Sequence, residues 1–366
     1  MTRTVSRSAT RAEEAVARYL REAHSSEAVR QSHLLGTLAV ERLEAKLRRH
    51  YGKRHALAVA NGTSGLLAVA LALDLRNSEV VTSPLSWGGT LAGLLHVGAR
   101  PVFADVDACT LTLSPQFAQR ALTARSRALL AVDLFGVPAD DAALRELADD
   151  HGLWYVHDAA QSFGALSNGR PAGALAHVIV VSFGSGKTLC AGEGGAILTD
   201  DEELYDRLLW YTQHPYRQKR ELGLGLTNEF ALNFRIHPLA AVWAEADFEP
   251  ALSRLRQHRQ WADGVVNLLD NSGFTQPLCY PERCIQPAYF RLTAAWRGRP
   301  QPQELHRVFR ANELTAHLRR FSAGPLYRCA AFRERVHLRR AHCPVAQDQA
   351  RRRFECWEQS ASARVS

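Results

Sequence analysis

Lys187 ends the run Val180-Val181-Ser182-Phe183-Gly184-Ser185-Gly186-Lys187, directly after an apolar stretch and just ahead of Gly192-Glu193-Gly194-Gly195. It is one of four lysines, with Lys46, Lys53 and Lys219, in a chain whose lysines and arginines total 45. Arginine fills nearly every other cationic position, and its guanidinium cannot lose a proton to attack a carbonyl carbon. A lysine kept at the exit of a strand is therefore a candidate Schiff-base nucleophile. The alternative is a surface lysine on a loop.

Other segments carry chemistry of a compatible kind. Asn61-Gly62-Thr63-Ser64-Gly65 joins a strand pattern to a helix pattern. Unpaired N–H groups and the positive end of a helix dipole suit a phosphate there, and Thr63 and Ser64 add hydroxyls. An ordinary capped helix start would read the same way, and no full Walker or dinucleotide fingerprint is present. Asp158, in Trp154-Tyr155-Val156-His157-Asp158-Ala159-Ala160-Gln161, closes a strand pattern at the end where open α/β sheets bind ligands. A buried carboxylate there calls for a cation such as a protonated ring nitrogen; capping the next helix is the other use. Trp87, in Pro84-Leu85-Ser86-Trp87, is either a flat platform for a ring or core filler. Asn233-Phe234-Arg235 offers an amide and a fixed charge that could reach a phosphate, against a surface salt bridge as the default.

The elements that must position these residues follow from periodicity. Apolar groups at helical spacing predict a helix over 37–51, and further helices are expected over 65–75, 114–122 and 142–150. Short apolar runs predict strands at 56–60, 80–82, 101–104, 128–132, 154–156, 177–182 and 196–198. Apolar strands alternating with helices indicate an α/β fold with a doubly wound, mostly parallel sheet covered on both faces. A long helix over 248–269 leads out of this region, and proline and glycine punctuate 277–302. The expected division is a large α/β domain over 1–245, with an N-terminal helical segment, and a smaller α+β domain over 246–366.

Composition narrows the function classes. An apolar fraction of 46% over 366 residues is enough for a sizeable core. The net charge of +8 is concentrated in arginine runs late in the chain, such as Arg339-Arg340 and Arg351-Arg352-Arg353. No aromatic interleaving, zinc spacing or recognition-helix pattern accompanies it, so a solvated face is expected and no nucleic-acid partner. The seven cysteines include no C-x-x-C pair, so reduced thiols in a cytoplasm are expected. Cys190 lies three residues after Lys187, as a lining residue or a small buried filler. No signal-peptide pattern opens the chain and no apolar run has membrane-spanning length, so no membrane association is expected.

Taken together, these segments resemble the DegT/DnrJ/EryC1/StrS family, the sugar and cyclitol aminotransferases of pyridoxal-phosphate fold type I. The likeness runs from Leu35 to Phe248, and more weakly to about residue 348. Its carriers are Ala60-Asn61-Gly62-Thr63-Ser64, Pro84-Leu85-Ser86-Trp87, the stretch 98–107, Asp133-Leu134-Phe135-Gly136, the stretch 158–165, and Ser182 through Lys187 to Ala196. The resemblance implies that Lys187 forms the Schiff base with pyridoxal 5'-phosphate and Asp158 pairs with the pyridinium nitrogen. It also puts Gln161 near the ring hydroxyl and Trp87 on the ring. Gly62, Thr63, Ser64 and Ser182 would hold the phosphate, with Asn233 reaching it from a second subunit of a homodimer. The implied reaction moves an amino group from glutamate or glutamine to a keto-sugar or ketocyclitol in specialised, antibiotic-type biosynthesis. Elimination or dehydration on the same scaffold, and a non-catalytic regulatory homologue, are the alternatives; the related sugar dehydratases carry histidine in place of the lysine. The chain departs from the family in a C-terminal domain that reads as shortened, and in His157, where glutamate is common. The loop over 214–228 is the candidate for acceptor selection.

Overall fold

The computed structural model of the chain describes residues 2–223, 225–271, 273, 275–276, 285–296, 302–312, 317–320, 324–329 and 343–357. Three helices come first: α1 (Thr2–Ser25), α2 (Glu27–Leu35) and α3 (Ala39–Tyr51). Nine strands follow: β1 (His55–Val59), β2 (Glu79–Thr82), β3 (Arg100–Phe103), β4 (Ser126–Val132), β5 (Trp154–Asp158), β6 (Leu166–Ser167), β7 (Arg170–Pro171), β8 (Val178–Ser182) and β9 (Gly195–Thr199). All but the β6–β7 hairpin join one sheet in the order β1-β9-β8-β5-β4-β2-β3. Of these seven, only β9 runs against its neighbours.

The intervening helices are α4 (Gly62–Ala72), α5 (Gly88–His96), α6 (Pro115–Ala121), α7 (Asp141–Asp150), α8 (Glu202–Thr212), α9 (Pro215–Leu222) and α10 (Pro238–Asn271). The two-residue period of the strands divides the core. Val81, Tyr155 and Val181 pack with α3 and α10 through Leu43, Leu47 and Phe248. Their neighbours Val80, Val156 and Val180 pack on the other face with α4, α5 and α8 through Leu66, Leu91 and Leu208. Each such side chain contributes about 1.5–3 kcal/mol when fully buried. Strands with two buried faces read as unbroken apolar runs, which is why the sequence marks them clearly.

Three helices differ from expectation. Helix α4 begins at Gly62 because Asn61 caps it, with its side chain accepting from Ser64 N. Helix α5 does not stand out in the sequence because glycine disfavours helix. Its glycines serve close packing instead: a Cβ on Gly93 would lie 2.7 Å from the Leu67 backbone, and one on Gly89 would lie 2.8 Å from Thr63 Oγ1. The long helix expected over 248–269 starts earlier, at Pro238, so the boundary expected near 246 falls within α10.

Beyond α10 come β10 (Thr275–Gln276), β11 (Ile285–Gln286), β12 (Leu292–Trp296), α11 (Pro302–Ala311), β13 (His317–Arg320), α12 (Pro344–Arg352) and β14 (Arg353–Trp357). β10, β12, β14 and β13 form an antiparallel sheet in that order, the α+β pattern expected of this region. The punctuated stretch 277–302 lies partly outside the described residues, as do Cys279, Cys284 and Arg339-Arg340. The N-terminus of α12 returns to the main sheet, where Asp105 accepts from Val345 N at 2.8 Å and Ala346 N at 2.9 Å. No helix among the described residues is long and apolar enough to cross a membrane.

Candidate active site

β1, β2, β4, β5 and β8 all run the same way, so their carboxyl ends open on one side of the sheet. Asn61, Trp87, Asp133, Asp158 and Lys187 each stand at or just beyond one of these ends. Residues far apart in sequence are thereby gathered along a single edge, the usual ligand site of such sheets.

Asp158 is 3% exposed. Its Oδ2 accepts from Thr90 Oγ1 at 2.7 Å, Thr90 shares a 2.7 Å hydrogen bond with Ser86 Oγ, and Oδ1 accepts from Ala160 N at 3.0 Å. All these partners are neutral. Burial pushes the carboxyl above the ordinary aspartate range, against the Thr90 and Ala160 donors and the charge of Lys187. Gln161 joins the exits of two strands, its Oε1 accepting from Phe135 N at 2.8 Å.

The four lysines have different fates. Lys46 Nζ pairs with Glu245 at 2.9 Å, and Lys53 Nζ pairs with Asp200 at 2.9 Å and donates to Ala176 O at 2.7 Å. Lys219 is exposed on α9. Lys187 sits in a turn closed by its own N–H on Gly184 O at 3.2 Å, half-buried, with Nζ 4.6 Å from the centre of the Phe290 ring. Burial pulls its amine below the ordinary lysine range; Asp158 opposes the shift and Arg291 adds to it. Such an amine gives up its proton more readily than a solvated one.

Phe290 and Arg291 were not among the residues singled out from the sequence. They arrive from beyond α10, held by Ala288 N on Gly136 O at 2.8 Å and Arg291 N on Phe135 O at 3.3 Å. Gly136 makes this docking possible. Its φ is +86°, and a Cβ would lie 2.9 Å from Gln161 O and 3.0 Å from Phe290 N. No local signal marks Phe290. Thr90, also not singled out from the sequence, lies in the first turn of α5, with Ser86 just ahead of that helix.

At the start of α4, Ser64 is committed to a capping box: its N–H goes to Asn61 Oδ1 at 2.8 Å, its hydroxyl donates to Asn61 O at 2.9 Å and accepts from Asn61 N at 3.1 Å. The first-turn N–H groups of Gly62 and Thr63 have no acceptor within the helix. Ser182 stands beside them, since a Cβ on Gly62 would lie 3.1 Å from Ser182 Cβ. Gly195 lets β9 pass this turn; a Cβ there would lie 2.9 Å from Gly62 N and 2.7 Å from Val181 O. Trp87 precedes α5 and is 79% exposed. Asn233 is exposed too, on a segment tied to the end of β1 by Ala60 N on Phe234 O at 2.6 Å and by the Val59–Arg235 bridge. The structure thus brings Gly62, Thr63, Ser64, Ser182, Asp158, Gln161 and Lys187 to one crevice. Trp87 is exposed at the start of α5, and Asn233 is exposed on the segment tied to the end of β1.

A profile of the DegT/DnrJ/EryC1/StrS aminotransferase family matches residues 13–356. The chain belongs to this family. Among relatives within it, the chain is 39% identical over 257 residues to a dTDP-3-amino-3,4,6-trideoxy-alpha-D-glucose transaminase of Micromonospora megalomicea, covering 66% of this chain and 65% of that protein. It is 36% identical over 184 residues to the UDP-2-acetamido-2-deoxy-3-oxo-D-glucuronate aminotransferase of Pseudomonas aeruginosa, covering 50% and 51%. The match thus spans about half to two thirds of the length of these curated relatives. Its fold superposes on that of DesV from S. venezuelae, solved in complex with a ketimine intermediate, with a TM-score of 0.75 and 28% identity over 94% of this chain and 88% of that one.

Proposed function

We propose that this DegT-family protein is a pyridoxal-phosphate-dependent aminotransferase that moves an amino group from glutamate or glutamine to a keto-sugar or ketocyclitol. The observation that carries the reading is the buried Asp158 carboxylate, satisfied only by neutral donors, in the same crevice as the half-buried Lys187 amine. The donor set fits the cofactor group by group. Asp158 suits a cationic ring nitrogen, Lys187 suits an aldehyde, and the Gly62 and Thr63 amides with the Ser182 hydroxyl suit a phosphate. A nucleotide-linked keto-sugar is the first acceptor to try, because both relatives are named for nucleotide-linked sugars, one a 3-oxo and the other a 3-amino sugar.

When bound, pyridoxal phosphate supplies a protonated ring that withdraws electrons from the bond to be broken. Asp158 holds the proton on that ring nitrogen, and Thr90 and Ser86 hold Asp158 in place. Ser64 acts through its cap, which aims the first-turn amides. Gln161 would lie near the ring hydroxyl, and Trp87 would offer a flat surface to the ring. Lys187 Nζ, an amine held below the ordinary lysine range, would take the proton from the substrate carbon as general base and, as the ammonium so formed, give it back to the neighbouring carbon as general acid. Asn233 reaches the phosphate of a second copy in a homodimer. This is supported by the exposed apolar side chains nearby, with Phe230 96% and Leu226 81% exposed. The thiol pattern, seven cysteines with no C-x-x-C pair, favours a cytoplasmic enzyme.

Borohydride reduction of the pyridoxal-phosphate-loaded protein, followed by peptide mapping, tests the reading. The adduct is expected on Lys187, and Lys187→Ala is expected to lose both the adduct and glutamate-dependent formation of 2-oxoglutarate, a fall of more than about 10²–10⁴-fold. An adduct on Lys46, Lys53 or Lys219 would overturn it.

A further inference from the structure

His157, one residue before Asp158 on β5, points to the opposite face of the sheet and is fully buried. Its ring lies between two carboxylates. Nε2 is 2.7 Å from Asp133 Oδ2, and Nδ1 is 3.0 Å from Asp141 Oδ1 and 2.8 Å from the Tyr155 hydroxyl. That hydroxyl donates to Asp141 Oδ1 at 2.5 Å, so its proton is already used. A neutral imidazole would aim a lone pair at a carboxylate on one side; two facing carboxylates need a ring with two N–H donors.

The partners of this ring reach the site. Asp133 also accepts from Ala139 N at 2.8 Å, and its own N–H donates to Asp158 O at 3.3 Å. Asp141 sits in the first turn of α7 and accepts from Gly173 N at 2.5 Å, while the Gly173 backbone covers the ring so closely that a Cβ there would lie 2.7 Å from His157 Cδ2. Asp140 and Tyr51 complete the ionisable groups around the cluster. Against burial, Asp133 and Asp141 hold the imidazole well above its ordinary range, and its charge in turn favours the ionised form of Asp158.

We propose that His157 is a positioning residue of the candidate site: clamped between Asp133 and Asp141, it locks the end of β5 to the exit of β4 and the start of α7, and it stands as a buried cation behind the Asp158 carboxylate. This rests on the aminotransferase reading of the crevice. A third carboxylate between Asp133 and Asp141 would add to the repulsion in one buried pocket, whereas a cation there neutralises one of the two negative charges and offsets the field they would otherwise direct at Asp158.

The test compares the full-length wild type with His157→Gln in two measurements. In the unloaded protein labelled with ¹⁵N-histidine, one ring is expected to show both nitrogens protonated at pH 8, and that signal disappears in the variant. A singly protonated His157 in the wild type overturns the proposal even if the variant fails to fold. In the second measurement, pyridoxal phosphate affinity is followed spectroscopically against pH. Losing the cation leaves Asp158 harder to ionise, so affinity should fall about tenfold for each unit that the acid limb moves to higher pH. An unmoved acid limb in a folded variant reduces His157 to a packing role and overturns the proposal alone. Wild-type protein that takes up no pyridoxal phosphate at any pH sinks the aminotransferase reading itself, a result the comparison of limbs cannot imitate.

Discussion

Glu44 and Asp158 are both buried carboxylates, 7% and 3% exposed, with opposite surroundings. Glu44 receives both arms of Arg217, Nη1 at 3.0 Å and Nη2 at 2.9 Å, and the amide of Ala58 at 2.7 Å. Arg217 is itself buried, and it bonds Glu221 at 3.0 Å through Nε. Burial opposes its charge, but the Glu44 carboxylate first, and then Glu221, hold it ionised. The chain makes room for this pair at Gly36, whose φ is +64° and where a Cβ would lie 2.5 Å from the guanidinium. Asp158 has only a hydroxyl and an amide. The scaffold completes its ionic contacts internally, whereas the crevice keeps one anion short of a cation, which a ligand can supply.

Three substitutions probe this difference, beginning with the strongest. Arg217→Met leaves Glu44 buried and unpaired and should cost about 3–5 kcal/mol in denaturant unfolding. Pyridoxal phosphate affinity per folded molecule should stay near the wild-type value; a parallel loss of affinity would mean that the two carboxylates are not separable.

Asp158→Asn should do the reverse, stabilising the unloaded protein while weakening cofactor binding. Because burial raises the carboxyl pKa in the folded state, the folded form holds its proton longer, and stability falls as pH rises through the ordinary carboxylate range up to that raised value. The variant escapes this penalty. It should gain about 0.5–2 kcal/mol at pH 7 and nothing at pH 3, read by thermal unfolding, with the advantage disappearing once pyridoxal phosphate is added. Equal stability at both pH values would mean that burial does not penalise the Asp158 carboxylate in the unloaded protein.

Trp87→Ala gives the smallest effect. At 79% exposure the indole holds nothing together, so stability should change by less than about 0.5 kcal/mol. Loss of a stacking surface should weaken cofactor binding by about 0.5–1.5 kcal/mol, measured by absorbance titration. Unchanged affinity would remove Trp87 from the ring face.

Much of this is legible in the residues alone. Strands β4, β5 and β8 are continuous apolar runs because both of their faces are covered, and Asp158 and Lys187 stand out as charges at the ends of such runs. Helix α5 was hidden because Gly89 and Gly93 serve its contact with α4 rather than helix propensity. Thr90 was hidden with it, so the immediate partner of Asp158 went unmarked. His157 was noticed only as a departure; that it is an ion lying between Asp133 and Asp141 depends on residues contributed by different elements.

The chain by itself determined the order of the elements and the kinds of group available at the strand ends, because periodicity and side-chain chemistry are local properties. Tertiary structure decided which of those groups meet and in what state. Phe290 reaches Lys187 only because the segment after α10 docks on Gly136. Burial, which no single residue carries, lowers the lysine and raises the aspartate. Proximity and desolvation are sums over the whole fold, so they exist only once it has formed.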